Sequence, residues 1–223
     1  RGEITKHHSA THLLHATLYD VLGDHVSQAG SQVEADKLRF DFSHPKAVSD
    51  AELAEIERRV NHEIMRAIPA KTQVLSIEDA KKSGAKAQFG EKYGDEVRVV
   101  SFADASVEFC GGVHVNNTAN IGSFIITKES GVSAGVRRIE AVCGNAAYQH
   151  FNAQRALLKQ IEVEVRNLDV LAGISRLKAN VAELKSELKD AQESSKVEIK
   201  VSEINGVAVV VEEYPSGDIK EKI

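Results

Sequence analysis

The chain has 223 residues, 42% hydrophobic and 27% charged, with 15 Gly and 3 Pro, which excludes collagen-like, low-complexity and wholly disordered polymers. Its formal net charge is -5, and no surplus of Lys and Arg marks either end, so any nucleic-acid partner must be held by a local patch. No apolar run approaches the ~18 residues that a membrane-spanning helix needs.

Residues 8–22 predict a helix, with Leu13, Leu14, Leu18, Val21 and Leu22 on one side and Gly23 as its stop. Within residues 33–42, the alternation Leu38-Arg39-Phe40-Asp41-Phe42 predicts a strand with one buried face. Asp50 opens a second helix, in which Leu53, Ile56, Val60, Ile64 and Ile68 recur at helical spacing until Pro69 ends it. Short strands are expected at Thr72–Ile77, Val97–Phe102, Gly122–Thr127 and Val136–Val142. Helices and strands without a βαβ rhythm argue for an α+β fold, an antiparallel sheet layered with packed helices, ending near Gly144.

Beyond Gly144 the pattern changes to a helix from about Ala146 to Gln192. Leu177, Val181, Leu184, Leu188 and Ala191 alternate steps of four and three, the seam of a coiled coil or helical hairpin. Ile161, Val165 and Leu168 repeat those steps but slip phase around Gly173, which predicts a break there. The two stripes are expected to fold back on each other, leaving a mainly monomeric chain. Val197–Val201 and Val207–Val211 flank Asn205-Gly206, a hairpin signal. Two strands alone are marginal in water, so these residues read as the start of a truncated domain. The expected division is 1–144, 145–196 and 197–223. The chain begins Arg1-Gly2-Glu3 and ends on the charged tract 218–223, so it reads as a piece of a longer cytosolic polypeptide. Its two cysteines, Cys110 and Cys143, are too few for a disulfide scaffold and fit a reducing, cytoplasmic setting.

Two motifs carry chemistry. His8 and His12 lie four apart on the predicted first helix, a spacing that stacks both imidazoles on one face. In a chain with nine His such a pair alone is an everyday coincidence. Cys110-Gly111-Gly112-Val113-His114 adds a thiolate and an imidazole across a glycine pair, whose backbone freedom allows a tight turn around one ion. Joined, the motifs supply three imidazole nitrogens and one sulfur, a zinc-like set, with one Zn2+ per chain expected. Four protein ligands usually close a structural site. The residues between His8 and His12 include no Glu, so the metalloprotease arrangement is absent. Spacing alone ends at a zinc-binding α+β domain.

Four blocks in order resemble the editing domain of alanyl-tRNA synthetases: His8-Ser9-Ala10-Thr11-His12-Leu13-Leu14-His15; His25-Val26-Ser27-Gln28 with Gly30-Ser31 and Leu38–His44; Cys110-Gly111-Gly112-Val113-His114-Val115; and Gly135-Val136-Arg137-Arg138-Ile139-Glu140-Ala141-Val142. They cover most of the first two-thirds of the chain. The helical arm and hairpin resemble that synthetase's linker and the beginning of its C-terminal domain. The resemblance puts zinc on His8, His12, Cys110 and His114. Threonyl-tRNA synthetase editing domains share related motifs, but Cys110-Gly111-Gly112 fits the alanyl version better. Val113 and Cys143 stand where the family commonly has Thr, neither at a ligand position.

The resemblance implies hydrolysis of the ester joining a wrong amino acid, serine or glycine, to the acceptor end of tRNA(Ala). Gln28 is the expected reader of the serine hydroxyl. Arg137, Arg138 and Lys128 are expected tRNA phosphate contacts, although adjacent strand residues face opposite ways. His7, His15 and Glu108 lie close to ligands in sequence, and the general base stays unassigned. ATP belongs only to the parent enzyme's aminoacylation core, which this chain lacks. Oligomerisation of the parent is expected through the rest of its C-terminal domain. The alternatives are a freestanding AlaX-type deacylase and a non-catalytic zinc-stabilised tRNA-binding module.

Overall fold

The computed structural model describes residues 1–86, 94–194 and 200–211. They fall into two compact units, Arg1–Arg155 and a second from Ala156 onward. The first unit is α+β, as the sequence pattern predicts. It opens with helix α1 (Gly2–Leu22), which starts six residues before the predicted helix and ends at Gly23. Strands β1 (Gln28–Val33) and β2 (Leu38–Ser43) follow, then helix α2 (Asp50–Met65). Ser49 and Glu52 cap α2 reciprocally, each satisfying a backbone N–H that the first turn leaves unpaired. The helix stops at Met65, ahead of the expected Pro69, because Ala67 adopts a positive φ of 52° and a residue before proline avoids helical backbone.

Next come β3 (Lys71–Ser76), the short α3 (Ile77–Lys82), β4 (Glu96–Phe102) and β5 (Ser106–Phe109). A 3-10 turn at Thr118–Ile121 leads to β6 (Phe124–Ser133) and β7 (Val136–Cys143). Two antiparallel sheets result, ordered β1-β2-β7-β6 and β3-β4-β5. In the larger sheet Phe40 pairs with Ile139 and Leu38 with Ala141, and all four side chains are fully buried. Leu13, Leu14 and Leu18 of α1 and Ile56 and Val60 of α2 complete that core. The sequence pattern missed β1, β5 and α3. β1 reads Gln-Ala-Gly-Ser-Gln-Val at a sheet edge, where no buried face imposes alternation.

Helix α4 (Gly144–Val165) carries the chain from the first unit into the second, and α5 (Val170–Ser194) follows. The predicted break at Gly173 is corrected: the helix bends at residues 166–169, where Arg166 has φ 49°. Asp169 restarts the helix by accepting the Ala172 N–H at 3.0 Å. Gly173 lies inside α5 and is buried. A Cβ there would stand 2.9 Å from the Val165 side chain, so this glycine permits a close approach and does not interrupt the helix. The expected hairpin that buries both stripes is also corrected. Leu177, Val181, Leu184 and Leu188 are 45%, 51%, 62% and 60% exposed. The chain makes a bent helix with its seam open.

Strands β8 (Lys200–Ile204) and β9 (Val207–Val211) pair around Asn205-Gly206, at φ 52° and 79°, as a two-residue turn of this kind requires. Residues 197–199 of the first predicted strand and the tract 212–223 lie outside the described residues. Among the described residues, no helix is long and apolar enough to cross a membrane.

Candidate metal centre

Helix α1 is where the site begins. His8 and His12 stand one turn apart on it, their ring centroids 5.3 Å apart and perpendicular. The loop after β5 brings Cys110 and His114 against them, and one ligand atom from each of the four lies within 4.8 Å of the others. The Cys110 Sγ is 3.5 Å from His8 Nε2 and 3.2 Å from His114 Nε2. A tetrahedral centre with zinc-like bond lengths has ligand-to-ligand edges of about 3.3–3.6 Å, close to the two Cys110 edges, while the group as a whole spans up to 4.8 Å. His12 Nδ1 is buried without a hydrogen-bond partner among the described residues, an incomplete state for a buried polar atom.

Electrostatics favour neutral, metal-competent imidazoles. Burial lowers His8, brings His12 down to about 4 and His114 down to about 2, and the Arg98 guanidinium adds to each shift. The hydrogen bonding around Ser9 fixes a tautomer. Its hydroxyl donates to the Thr5 carbonyl at 3.1 Å and accepts the Val115 N–H at 3.0 Å. When Ser9 gives that one proton to Thr5, His114 Nδ1, 3.1 Å from the same oxygen, is the donor to it. The lone pair of His114 is then on Nε2, facing Cys110.

The 110–114 loop is braced from β4. One Arg98 nitrogen donates to the carbonyls of Cys110 at 2.6 Å and Gly112 at 2.7 Å. The Gly112 N–H turns back to Cys110 Sγ at 3.4 Å. A Cβ at Gly112 would press into the His8 ring, 2.7 Å from Nδ1, so this second glycine is a packing requirement. Neither Arg98 nor Ser9 was singled out from sequence. The hydroxyl of Ser9, inside the His-x-x-x-His spacing, was the available signal.

The remaining candidates separate clearly. His7 is a pin between elements: its Nδ1 is 3.1 Å from the Glu3 carbonyl, and its Nε2 accepts the Cys143 N–H at 3.1 Å. Glu108 and His15 meet beside the centre, 3.2 Å apart, and Glu108 also stands 3.6 Å from His12 Nε2. Cys143 is fully buried and outside the donor group, and burial pushes its thiol up to about 12. Val113 points outward, 56% exposed. Gln28, half-buried at the start of β1 opposite Phe42, donates to the Ser31 hydroxyl at 3.5 Å. Nearby, His25 and His44 hydrogen-bond each other at 2.8 Å.

Both arginines expected at tRNA phosphates are gripped by carboxylates. Arg137 forms two hydrogen bonds to Glu129, and Arg138 two to Asp41, at 2.6–2.7 Å. Lys128 is exposed on β6.

Residues 97–140, which include Cys110 and His114, match the family model described as "Threonyl and Alanyl tRNA synthetase second additional domain". The chain is 76% identical over all 223 residues to an alanine–tRNA ligase of Sulfurimonas denitrificans. It is 58% identical over 223 residues to that of a Sulfurovum species, and 52% over 224 to that of Helicobacter pylori. In each case the whole chain aligns but covers 26% of the relative, so the chain spans about a quarter of the length of these proteins. Identity of this order over the whole chain, together with the matched domain, means that the chain corresponds to a segment of alanine–tRNA ligases.

Proposed function

We propose that the chain is an editing segment that hydrolyses Ser-tRNA(Ala) and Gly-tRNA(Ala), with one zinc ion held by His8, His12, Cys110 and His114. The observation that carries this reading is the convergence of those four donors, two of which, Cys110 and His114, lie inside the segment that matches the synthetase domain family. In this reading residues 1–144 are the editing domain, 145–196 a helical arm and 197–223 the start of a further domain.

The chemical need is simple. A pocket shaped for alanine cannot exclude the smaller glycine, and an added hydroxyl is rejected only by a factor of ~10². A second site that cleaves the wrong ester restores accuracy. Bound zinc would supply Lewis acidity toward the ester or its attacking water. The protein's own work is to hold the donors and to read the substrate. Arg98 and Ser9 keep the loop donors aimed, and burial keeps the imidazoles unprotonated. Gln28 reads the serine hydroxyl: an amide left unpaired against alanine penalises the correct product. Lys128, with Arg137 and Arg138, lies toward the tRNA acceptor end.

The test is to incubate the chain with Ser-tRNA(Ala), Gly-tRNA(Ala) and Ala-tRNA(Ala). Release of serine and glycine well ahead of alanine is expected. Binding without release would replace this reading with a zinc-stabilised tRNA-binding module.

A further inference from the structure

Glu108 is a carboxylate almost out of reach of water, 4% exposed, on the short strand β5. Its two oxygens do different things. Oε1 accepts the Ser106 hydroxyl at 3.2 Å and faces His15 Nδ1 at 3.2 Å, which fixes the carboxylate plane. Oε2 faces His12 Nε2 at 3.6 Å, beyond a hydrogen bond but well within electrostatic range. Glu108 stands outside the four-donor group, to one side of it.

Charge counting shows why a carboxylate belongs there. A divalent ion with three neutral imidazoles and one thiolate keeps a net charge of about +1 in a buried site. The Arg98 guanidinium adds another positive charge against the same loop. Lys86, its ammonium 3.8 Å over the Tyr19 ring, adds a third near Glu108. Uncompensated charge of one sign is costly in such surroundings.

From this geometry we infer that Glu108 is a positioning residue of the metal centre: held by His15 and Ser106, it sets His12 from behind and offsets the excess positive charge of the loaded site. The inference rests on the metal reading above and not on any substrate. Carboxylates that support a ligating histidine in this way typically contribute 10- to 100-fold in metal affinity.

The experiment measures zinc affinity of the purified chain by competition with a chromophoric chelator, together with the visible spectrum of the Co2+-loaded protein. Glu108→Gln keeps the shape and removes the charge. It should bind zinc roughly 10- to 100-fold more weakly and shift the Co2+ bands, with an unchanged circular dichroism spectrum. Glu108→Asp keeps the charge at a shorter reach and should fall between wild type and Glu108→Gln, also guarding against a Gln variant that folds poorly. Wild-type affinity and a superimposable Co2+ spectrum in Glu108→Gln would overturn the inference. So would Asp and Gln variants equally impaired, which would reduce Glu108 to a packing residue. Loss of the editing reading would leave these affinities unaffected, since they are read without tRNA.

Discussion

Helices α1 and α5 are of similar length, 21 and 25 residues, yet they bury opposite kinds of side chain. In α1 the polar residues His7, Ser9, Thr11, His12, His15 and Thr17 are buried alongside Leu13, Leu14 and Leu18. In α5 the leucines of a regular seam are open to solvent, and Gly173 is its buried residue among those described. The reason is the number of neighbours. Helix α1 packs against α2, β1, β2, β5 and β7, so all sides must be satisfied and the polar ones are paired or gathered around the donor cluster. Periodicity reports that a helix has an apolar face; it does not report that anything covers it. Helix α1 carries two of the four residues of the candidate metal cluster, His8 and the buried His12.

The strongest way to break this contrast is to remove a donor. Cys110→Ala and His12→Ala should each lower zinc from about one per chain to near zero, because each removes a direct ligand. Elemental analysis of protein prepared without chelator decides it, and a fully loaded Cys110→Ala chain would make the buried polar face of α1 mere packing. The apolar half of the comparison is tested by truncation. Leu13→Ala should cost about 2–5 kcal/mol, whereas Leu184→Ala, at an open position, should stay within about 0.5 kcal/mol. Urea unfolding measures both, and similar costs would mean that the α5 seam is covered in solution.

Gln28→Ala should alter the serine-to-alanine hydrolysis ratio by the equivalent of about 1–3 kcal/mol, with zinc content unchanged. An unaltered ratio returns Gln28 to a strand-edge role. Leu184→Asp should leave hydrolysis of a short acylated RNA mimic intact and the chain monomeric in sedimentation. A concentration-dependent dimer that this substitution dissolves would assign the seam to a second copy. The smallest effect concerns Cys143, whose thiol burial raises from 9.0 to about 12. Its contribution to stability is present below pH 9 and is lost as pH rises toward 12. At pH 8 an alkylating reagent should reach it only in unfolded protein, and rapid native labelling would show that α1 does not seal that edge.

What the sequence revealed follows the same division. Helix α2 and strand β2 were legible because their apolar spacing is local and complete, from Ile56 to Ile64 and from Leu38 to Phe42. The four donors were legible because metal chemistry restricts residue types and spacing. Ser9 and Arg98 were not, since a hydroxyl and a guanidinium acquire their tasks only from partners 105 and 12 residues away. Gly173 looked like a break because glycine weakens a helix; the structure uses it to let Val165 come close.

The paired arginines of β7 carry one more consequence. Arg137 and Arg138 are each matched by a carboxylate, Glu129 and Asp41, so their charge is largely spent within the protein. A phosphate reaching it meets the N–H donors that the carboxylates leave over, beside a negative charge that offsets much of the attraction. An RNA strand laid there would be oriented by geometry more than drawn in by field, and its hold would depend only weakly on ionic strength.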